Sequence, residues 1–281
     1  MTKLVLPFLE TMATQVCNLS CEGCTNYSDL PHSGYVPWSV MHNDLSEWLK
    51  ILDIPDFGIM GGEPLINPEI RQWIQGIRDL LPTSQIRFTT NGILLNKHID
   101  IVDRLHEIGN VVFKITVHRE DAQVEETIQR IFDRYSWEPI TEYGINRWTT
   151  GDRVRFQVNR PTTFIKTYQG SYKEMMPYVS TADASFAECI QQTCPLLHKG
   201  RIYKCSTQGL LRETLTKVGN PNMSSWQPYL LDGVGIDSTI ADITRFVNNF
   251  GKPHSMCAMC PSKQHPMAFI SHRAKLKNES N

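Results

Sequence analysis

The sequence predicts an α/β fold, a partial (β/α)6 TIM-like barrel followed by a small C-terminal metal-stapled α+β auxiliary-cluster domain. Three observations carry this. Strand-like and helix-like segments alternate from residue 8 to about residue 160, and repeated units of that kind enforce parallel strands with right-handed crossovers. The alternation stops near Gly170. The eight cysteines fall into two groups, Cys17, Cys21 and Cys24 early and Cys189, Cys194, Cys205, Cys257 and Cys260 late.

Taken in order, Phe8 to Val16 reads as a strand that delivers Cys17. Trp38 to Leu52 carries Val40, Leu45, Trp48, Leu49 and Leu52 near 3.6-residue spacing, the mark of a one-faced helix. Phe57 to Met60 is a short buried strand ending in Gly61-Gly62. Asn67-Pro68-Glu69 supplies a cap and a first-turn proline for a helix that runs to about Leu81 and stops before Pro82. Gln85 to Thr90 is the third strand, closed by Asn91-Gly92, and Lys97 to Ile108 is a helix stopped by Gly109. Val111 to Val117 and Glu120 to Tyr135 make the fourth pair, Arg153 to Asn159 the fifth strand and Thr163 to Tyr168 a sixth. The stretch Ser136 to Asp152 joins a helix to a strand, which in a barrel belongs at the bottom, so Trp137, Tyr143 and Trp148 are expected to pack rather than to bind. Further on, Cys194 to Cys205 reads as a hairpin turning at Lys199-Gly200 with a cysteine at each end. Ser206 to Thr216 and Thr239 to Asn249 read as helices, the second leading to the knuckle Cys257-Ala-Met-Cys260. The expected organisation is a core over residues 1–170, an auxiliary unit over 171–270, and a polar, basic and disordered tail over 271–281.

Bulk properties exclude several classes. A chain of 281 residues with 41% hydrophobic and 20% charged residues has the composition of a soluble domain with a substantial core. Its net charge of −1 gives no reason to expect nucleic acid as a partner. No apolar run approaches the ~20 residues of a membrane span, and Met1 to Pro7 lacks the apolar centre of a signal peptide. These features point to the cytoplasm. Cysteines separated by two or three residues there suit metal ligation better than disulfides.

In a barrel, functional residues follow the C-terminal ends of strands, and Cys17, Gly61, Asn91 and His118 all do so. The run from Cys17 to Cys24 is a C-x3-C-x2-C triad. Three thiolates can hold three corners of a cubic iron–sulfur cluster and leave its fourth iron open to a small molecule. A structural zinc would need a fourth ligand, for which His32 and His42 are the nearest candidates. The triad, followed by Gly61-Gly62-Glu63-Pro64 after the second strand, resembles the radical SAM superfamily over roughly residues 8–160. That resemblance implies a [4Fe–4S] cluster on Cys17, Cys21 and Cys24, with S-adenosylmethionine bound to the open iron through its amino and carboxylate groups. It also implies reductive cleavage to a 5′-deoxyadenosyl radical that abstracts a hydrogen atom from substrate, and a reducing partner such as flavodoxin or ferredoxin. Gly61, Gly62, Glu63 and Pro64 would form the methionine site, with Glu63 facing the ammonium, and Asn91 and Thr116 would be further contacts. One position departs from the pattern. The residue before the third cysteine is usually aromatic in this superfamily and here is Gly23, leaving Tyr27 and Tyr35 as candidate neighbours of the adenine.

Cys194, Cys205, Cys257 and Cys260 resemble the ligands of the twitch auxiliary-cluster domain, a relative of the SPASM domain. The resemblance implies a second, fully ligated [4Fe–4S] cluster that accepts an electron; a zinc ribbon fits the same ligand count. Cys189 is then surplus, open as a ligand, an inert thiol or a hydrogen-atom donor, and is the one catalytic candidate. Lys166, Tyr168 and Arg160 lie near the last strand ends, with no spacing that singles one out. The reading is a radical SAM oxidoreductase-type enzyme for a small polar substrate, a sugar, aminocyclitol or nucleotide. The alternatives are a maturase that oxidises, crosslinks or epimerises a ribosomal peptide, and a zinc-stabilised non-catalytic binding protein. With the barrel starting by residue 8, no added peptide-recognition segment is expected, which favours the small molecule.

Overall fold

The computed structural model describes residues 2–140, 147–151, 153–161, 163–263, 266–268 and 271–273. Its centre is a mixed ten-stranded sheet. Six neighbouring strands run parallel, in the spatial order Leu196–His198, Leu9–Met12, Asp56–Met60, Gln85–Thr90, Val111–Thr116 and Val154–Asn159. The helices Trp38–Trp48, Ile70–Leu80, Asp100–Ile108 and Ala122–Arg134 form the crossovers between the five strands of the first 160 residues.

Because successive strand residues point to opposite faces, the sheet has two different sides. Phe57, Ile59, Ile86, Phe88, Phe113, Ile115, Phe156 and Val158 pack in one buried cluster with helix residues such as Leu45, Trp73, Ile77, Leu105 and Ile131. The intervening residues, among them Glu10, Gly58, Arg87, Thr89, Lys114 and Gln157, line cavities on the other side. One face therefore holds the fold together and the other is free for chemistry.

Several elements differ from expectation. The sixth parallel strand is Leu196–His198, which pairs with Leu9–Met12, whereas Thr163–Ile165 pairs antiparallel with Pro266–Ala268 outside the main sheet. The hairpin itself forms: Leu196–His198 pairs with Arg201–Tyr203 across Lys199 and Gly200, both at positive φ (49° and 73°), the twist a two-residue turn needs. It extends the sheet of the early units instead of standing apart from it, because Leu197 and Ile202 belong to the same buried cluster as the crossover helices. At the opposite edge, Arg147–Thr149 and Glu138–Pro139 add two antiparallel strands. There Trp137 and Trp148 pack around Phe132 and Phe156 as structural residues, with ring centroids 4.7–6.3 Å apart. Tyr143 lies outside the described residues.

A second apolar cluster gathers Tyr27, Tyr168, Met175, Leu210, Leu215, Trp226, Met256 and Met259 with Cys205 and Cys257. Its helix Ser206–Val218 begins directly at Cys205, and Thr239 caps the helix Ile240–Asn248 by accepting from the Asp242 N–H. Ser271–Arg273, expected as the start of the tail, pairs antiparallel with Leu19–Cys21, and residues 274–281 lie outside the described residues. Among the described residues no helix is long and apolar enough to cross a membrane.

Candidate active site

The strand Leu9–Met12 ends earlier than its apolar run suggests, and residues 13–16 then run beside the Gly61-Gly62 turn. Gly62 N–H donates to Thr14 O at 2.7 Å and Glu63 N–H to Val16 O at 2.8 Å. Both glycines are required by this contact. A Cβ at Gly61 would stand 2.6 Å from Thr14 O, and one at Gly62 would stand 2.3 Å from Val16 O. The close approach that these glycines permit is between two chain segments, and it fixes the start of the cysteine loop against the second strand.

Glu63 and Pro64 stand behind that turn and do not line the cavity beyond it. The Glu63 carboxylate is fully buried. It accepts from Leu65 N–H at 3.1 Å, from Thr90 Oγ1 at 2.7 Å and from Asn91 N–H at 2.8 Å. Burial pushes its pKa up to about 7, against these three donors. Its observed work is to tie the Gly-Gly turn to the end of the third strand. Asn91 continues the link, donating from Nδ2 to Asn18 Oδ1 at 2.7 Å and lying 3.7 Å from Cys17 Sγ.

Cys17, Cys21 and Cys24 line one cavity of ≈160 Å³ with Gly61, Gly62, Asn91, Thr116 and His118. Cys17 Sγ accepts from Leu19 N–H at 3.4 Å, and Cys24 turns back with its N–H on Cys21 O at 3.2 Å, across Gly23 at φ 74°. Burial pushes the Cys24 thiol up to about 12 and raises Cys17 as well, with nearby carboxylates and the other thiols adding to it. Bound cations reverse such a shift and hold the thiolates. Among the described residues no three Cys, His, Asp or Glu side chains close on a point as ligands of one ion do. A zinc ion with bonds of about 2.3 Å needs sulfurs about 3.8 Å apart, whereas a many-atom cluster fills a cavity. The soft donor set and the cavity suit iron and sulfide. His32 and His42 stay outside this cavity, on Tyr27 O and against Trp38 respectively. Neither Tyr27 nor Tyr35 lines it: Tyr27 packs tilted on Tyr168 and edge-on to Tyr172, and Tyr35 is exposed.

Asn26, Ser28 and Asp29 complete the wall and were not foreseen. Asn26 Nδ2 donates to Gly61 O at 3.3 Å, and Tyr172 hydroxyl donates to Asp29 Oδ1 at 2.5 Å. Burial lifts Asp29 to about 6, and His118 is driven down to about 4, so its imidazole is neutral at pH 7. The signal was the density of polar residues just after the third cysteine. Lys166 and Arg160 lie elsewhere, on Gly170 O and Glu125, and Tyr168 is buried in the second cluster.

A second cavity is lined by Cys205, Cys257 and Cys260 together with Cys189, not Cys194. The knuckle turns with Cys260 N–H on Cys257 O at 3.0 Å, Cys257 Sγ accepts from His254 N–H at 3.4 Å, and Cys189 Sγ accepts from Gln191 N–H at 3.2 Å. Cys194 lines a different chamber with Glu10, Arg87 and Lys114, because its hairpin docks beside Glu10 and turns that thiol to the cavity side of the sheet. Thr25, next to Cys24, lines both the first and the second cysteine cavities. Gln191 Nε2 donates to its hydroxyl at 3.3 Å.

The sequence model of the radical SAM superfamily matches residues 12–143. A GTP 3',8-cyclase of Clostridium perfringens (strain SM101 / Type A) is 30% identical over 154 residues, 50% of this chain and 44% of the relative. Molybdenum cofactor biosynthesis protein 1 of Dictyostelium discoideum is 25% identical over 159 residues, 54% of this chain and 23% of the relative. The matched stretch thus spans less than half of either relative. The crystal structure of BtrN in complex with AdoMet and 2-DOIA superposes with a TM-score of 0.51 at 15% identity, covering 94% of this chain and 98% of that one, which is a likeness of fold. The relatives are enzymes, iron–sulfur and metal binding are implied by the matched family, and residues 12–143 of this chain are similar to a radical SAM domain.

Proposed function

We propose that this chain is a radical SAM enzyme with two [4Fe–4S] clusters acting on a small polar substrate. The observation that carries the reading is the convergence of Cys17, Cys21 and Cys24 on one cavity with the Gly-Gly turn and Asn91. When bound, the first cluster supplies one electron to S-adenosylmethionine, whose carbon–sulfur bond breaks to give a radical that removes hydrogen from substrate. The protein's own residues do the positioning. Gly61, Gly62, Asn91 and Thr116 present backbone and side-chain polar groups to the methionine end of the cofactor, and Glu63 and Pro64 hold that wall from behind. The parallel strands serve as the partial barrel, with the cysteine-triad cavity at their C-terminal ends, and the stretch after residue 170 serves as an auxiliary-cluster unit built onto the same sheet.

For the second cluster, the ligand set we propose is Cys189, Cys205, Cys257 and Cys260. The shared wall at Thr25 supports electron transfer between the two sites, and an external donor of the flavodoxin or ferredoxin kind would deliver the first electron. Anaerobic reconstitution tests the ligand set: wild type is expected to take up about eight irons, and Cys189→Ala to fall towards about four while Cys194→Ala does not. The reverse pattern would reinstate Cys194 as the ligand. Bound zinc in place of iron would favour the non-catalytic alternative.

A further inference from the structure

Adjoining the cofactor cavity, on the same side of the sheet, is a chamber of ≈230 Å³ that shares Met60 and Thr89 with it as a common wall. Strand register builds it. Glu10 stands opposite Gly58 and Gly58 opposite Arg87, so two charged side chains are separated by a position with none. A Cβ at Gly58 would lie 2.9 Å from the Glu10 Cβ and 3.0 Å from Phe8 Cζ, so the glycine lets Glu10 and Phe8 pack closely over this strand. Lys114 stands one strand further along, and Cys194 adds a thiol.

The charges of this chamber are not used up. Arg87 is held by Asp56, its Nε donating to both carboxylate oxygens at 2.8 and 2.9 Å. Glu10 is only 9% exposed, yet among the described residues its carboxyl and the Lys114 ammonium each lack a hydrogen bond and an ion pair. Burial raises Glu10 to about 8, overcoming the opposing pull of Lys114 and Arg87, and burial lowers Lys114. Both groups line the chamber without a hydrogen-bonding protein partner, and a ligand that bonds to both gains two polar contacts in a largely buried setting.

We propose that this chamber holds the substrate of the reaction proposed above. In it, Glu10 accepts from a hydroxyl or amino group, Lys114 donates to an oxygen, and a small polyol or amino polyol is selected over a nucleoside triphosphate. The proposal rests on the radical SAM reading and adds the substrate class. Charge decides the class: with Arg87 neutralised by Asp56, Lys114 is, among the described residues, the one spare cation lining the chamber, far short of the several negative charges of a triphosphate. Size agrees, since the chamber is smaller than the roughly 300–1,000 Å³ of sites that hold drug-sized ligands.

Isothermal titration of the reconstituted protein with myo-inositol, D-glucosamine and GTP tests this without requiring turnover. At least one of the two polyols is expected to bind, and GTP not to compete with it. Glu10→Gln and Lys114→Met are each expected to weaken that binding by about tenfold or more, the worth of one charged hydrogen bond, and Lys114→Arg to recover part of the loss. Gly58→Ala, whose methyl would press on the Glu10 Cβ and the Phe8 ring and shift the Glu10 carboxyl, is expected to weaken it as well. Binding of GTP alone, binding of neither polyol, or polyol affinity unchanged in all the variants overturns the proposal. Cleavage of S-adenosylmethionine without any probe is measured on the same preparation; its absence counts against the enzyme reading, whatever the titrations show.

Discussion

Glu63 is where the chemistry of a single side chain matters most to the cavity. Its carboxylate satisfies two backbone N–H groups and a hydroxyl, all buried, and removing it leaves each orphaned at about 1–3 kcal/mol. Burial raises its pKa from 4.5 to about 7, so the folded chain keeps a proton that the unfolded chain has lost. Stability from this group is therefore full below about pH 4.5 and falls as pH rises to about 7, by roughly 3 kcal/mol. Thermal unfolding of the iron-free protein is expected to show that decline, and Glu63→Gln to remove Glu63's share of it; Glu10 adds a decline of the same sign, since burial also raises it. Gly62 gives a second test. Gly62→Ala sets a Cβ against Val16 O, and overpacking of this kind costs about 1–3 kcal/mol. A lower melting temperature and a loss of bound iron are expected together, because the displaced segment leads directly into Cys17. At this scale the triad was legible because its ligands are close in sequence, where spacing alone constrains geometry. The place of Cys189 was left open. Cys194 and Cys205 face each other across a hairpin, but where the hairpin docks decides which thiol meets the knuckle, and docking depends on contacts with Leu9–Met12 that no local spacing encodes.

Among the elements, the crossover helices and central strands were readable from periodicity, since each buries one face on a shared core. The edges were not. Arg147–Thr149 and Glu138–Pro139 are short and carry little alternation, and what holds them is the aromatic packing of Trp137 and Trp148 on Phe132 and Phe156. Trp148→Ala is expected to cost roughly 3 kcal/mol, at the low end for a large aromatic because Trp148 is only partly buried. Denaturant unfolding measures that loss, and iron content should stay at the wild-type level, since this edge is remote from the cysteines. A fall in iron content would mean that the edge supports the cofactor side of the sheet after all.

For the molecule as a whole, one sheet divides labour between its faces. The helix-covered face supplies the buried cluster, the other face lines the chamber with Glu10 and Lys114 and the cavity of the cysteine triad, and the cavity of the late cysteines adjoins that of the triad at Thr25. Substrate, cofactor and electron acceptor would then be neighbours without long internal routes. The alternation of strands and helices made the parallel sheet legible in the sequence, but the addition of the late hairpin to its first edge was hidden, because a strand of three residues carries no address. The central claim is that Cys17, Cys21 and Cys24 hold a cluster able to reduce S-adenosylmethionine. The most direct measurement is formation of 5′-deoxyadenosine by anaerobically reconstituted, dithionite-reduced protein, wild type beside Cys21→Ala. The account predicts product from the wild type and none above background from the variant; equal product from both, or none from an iron-loaded wild type, would contradict it.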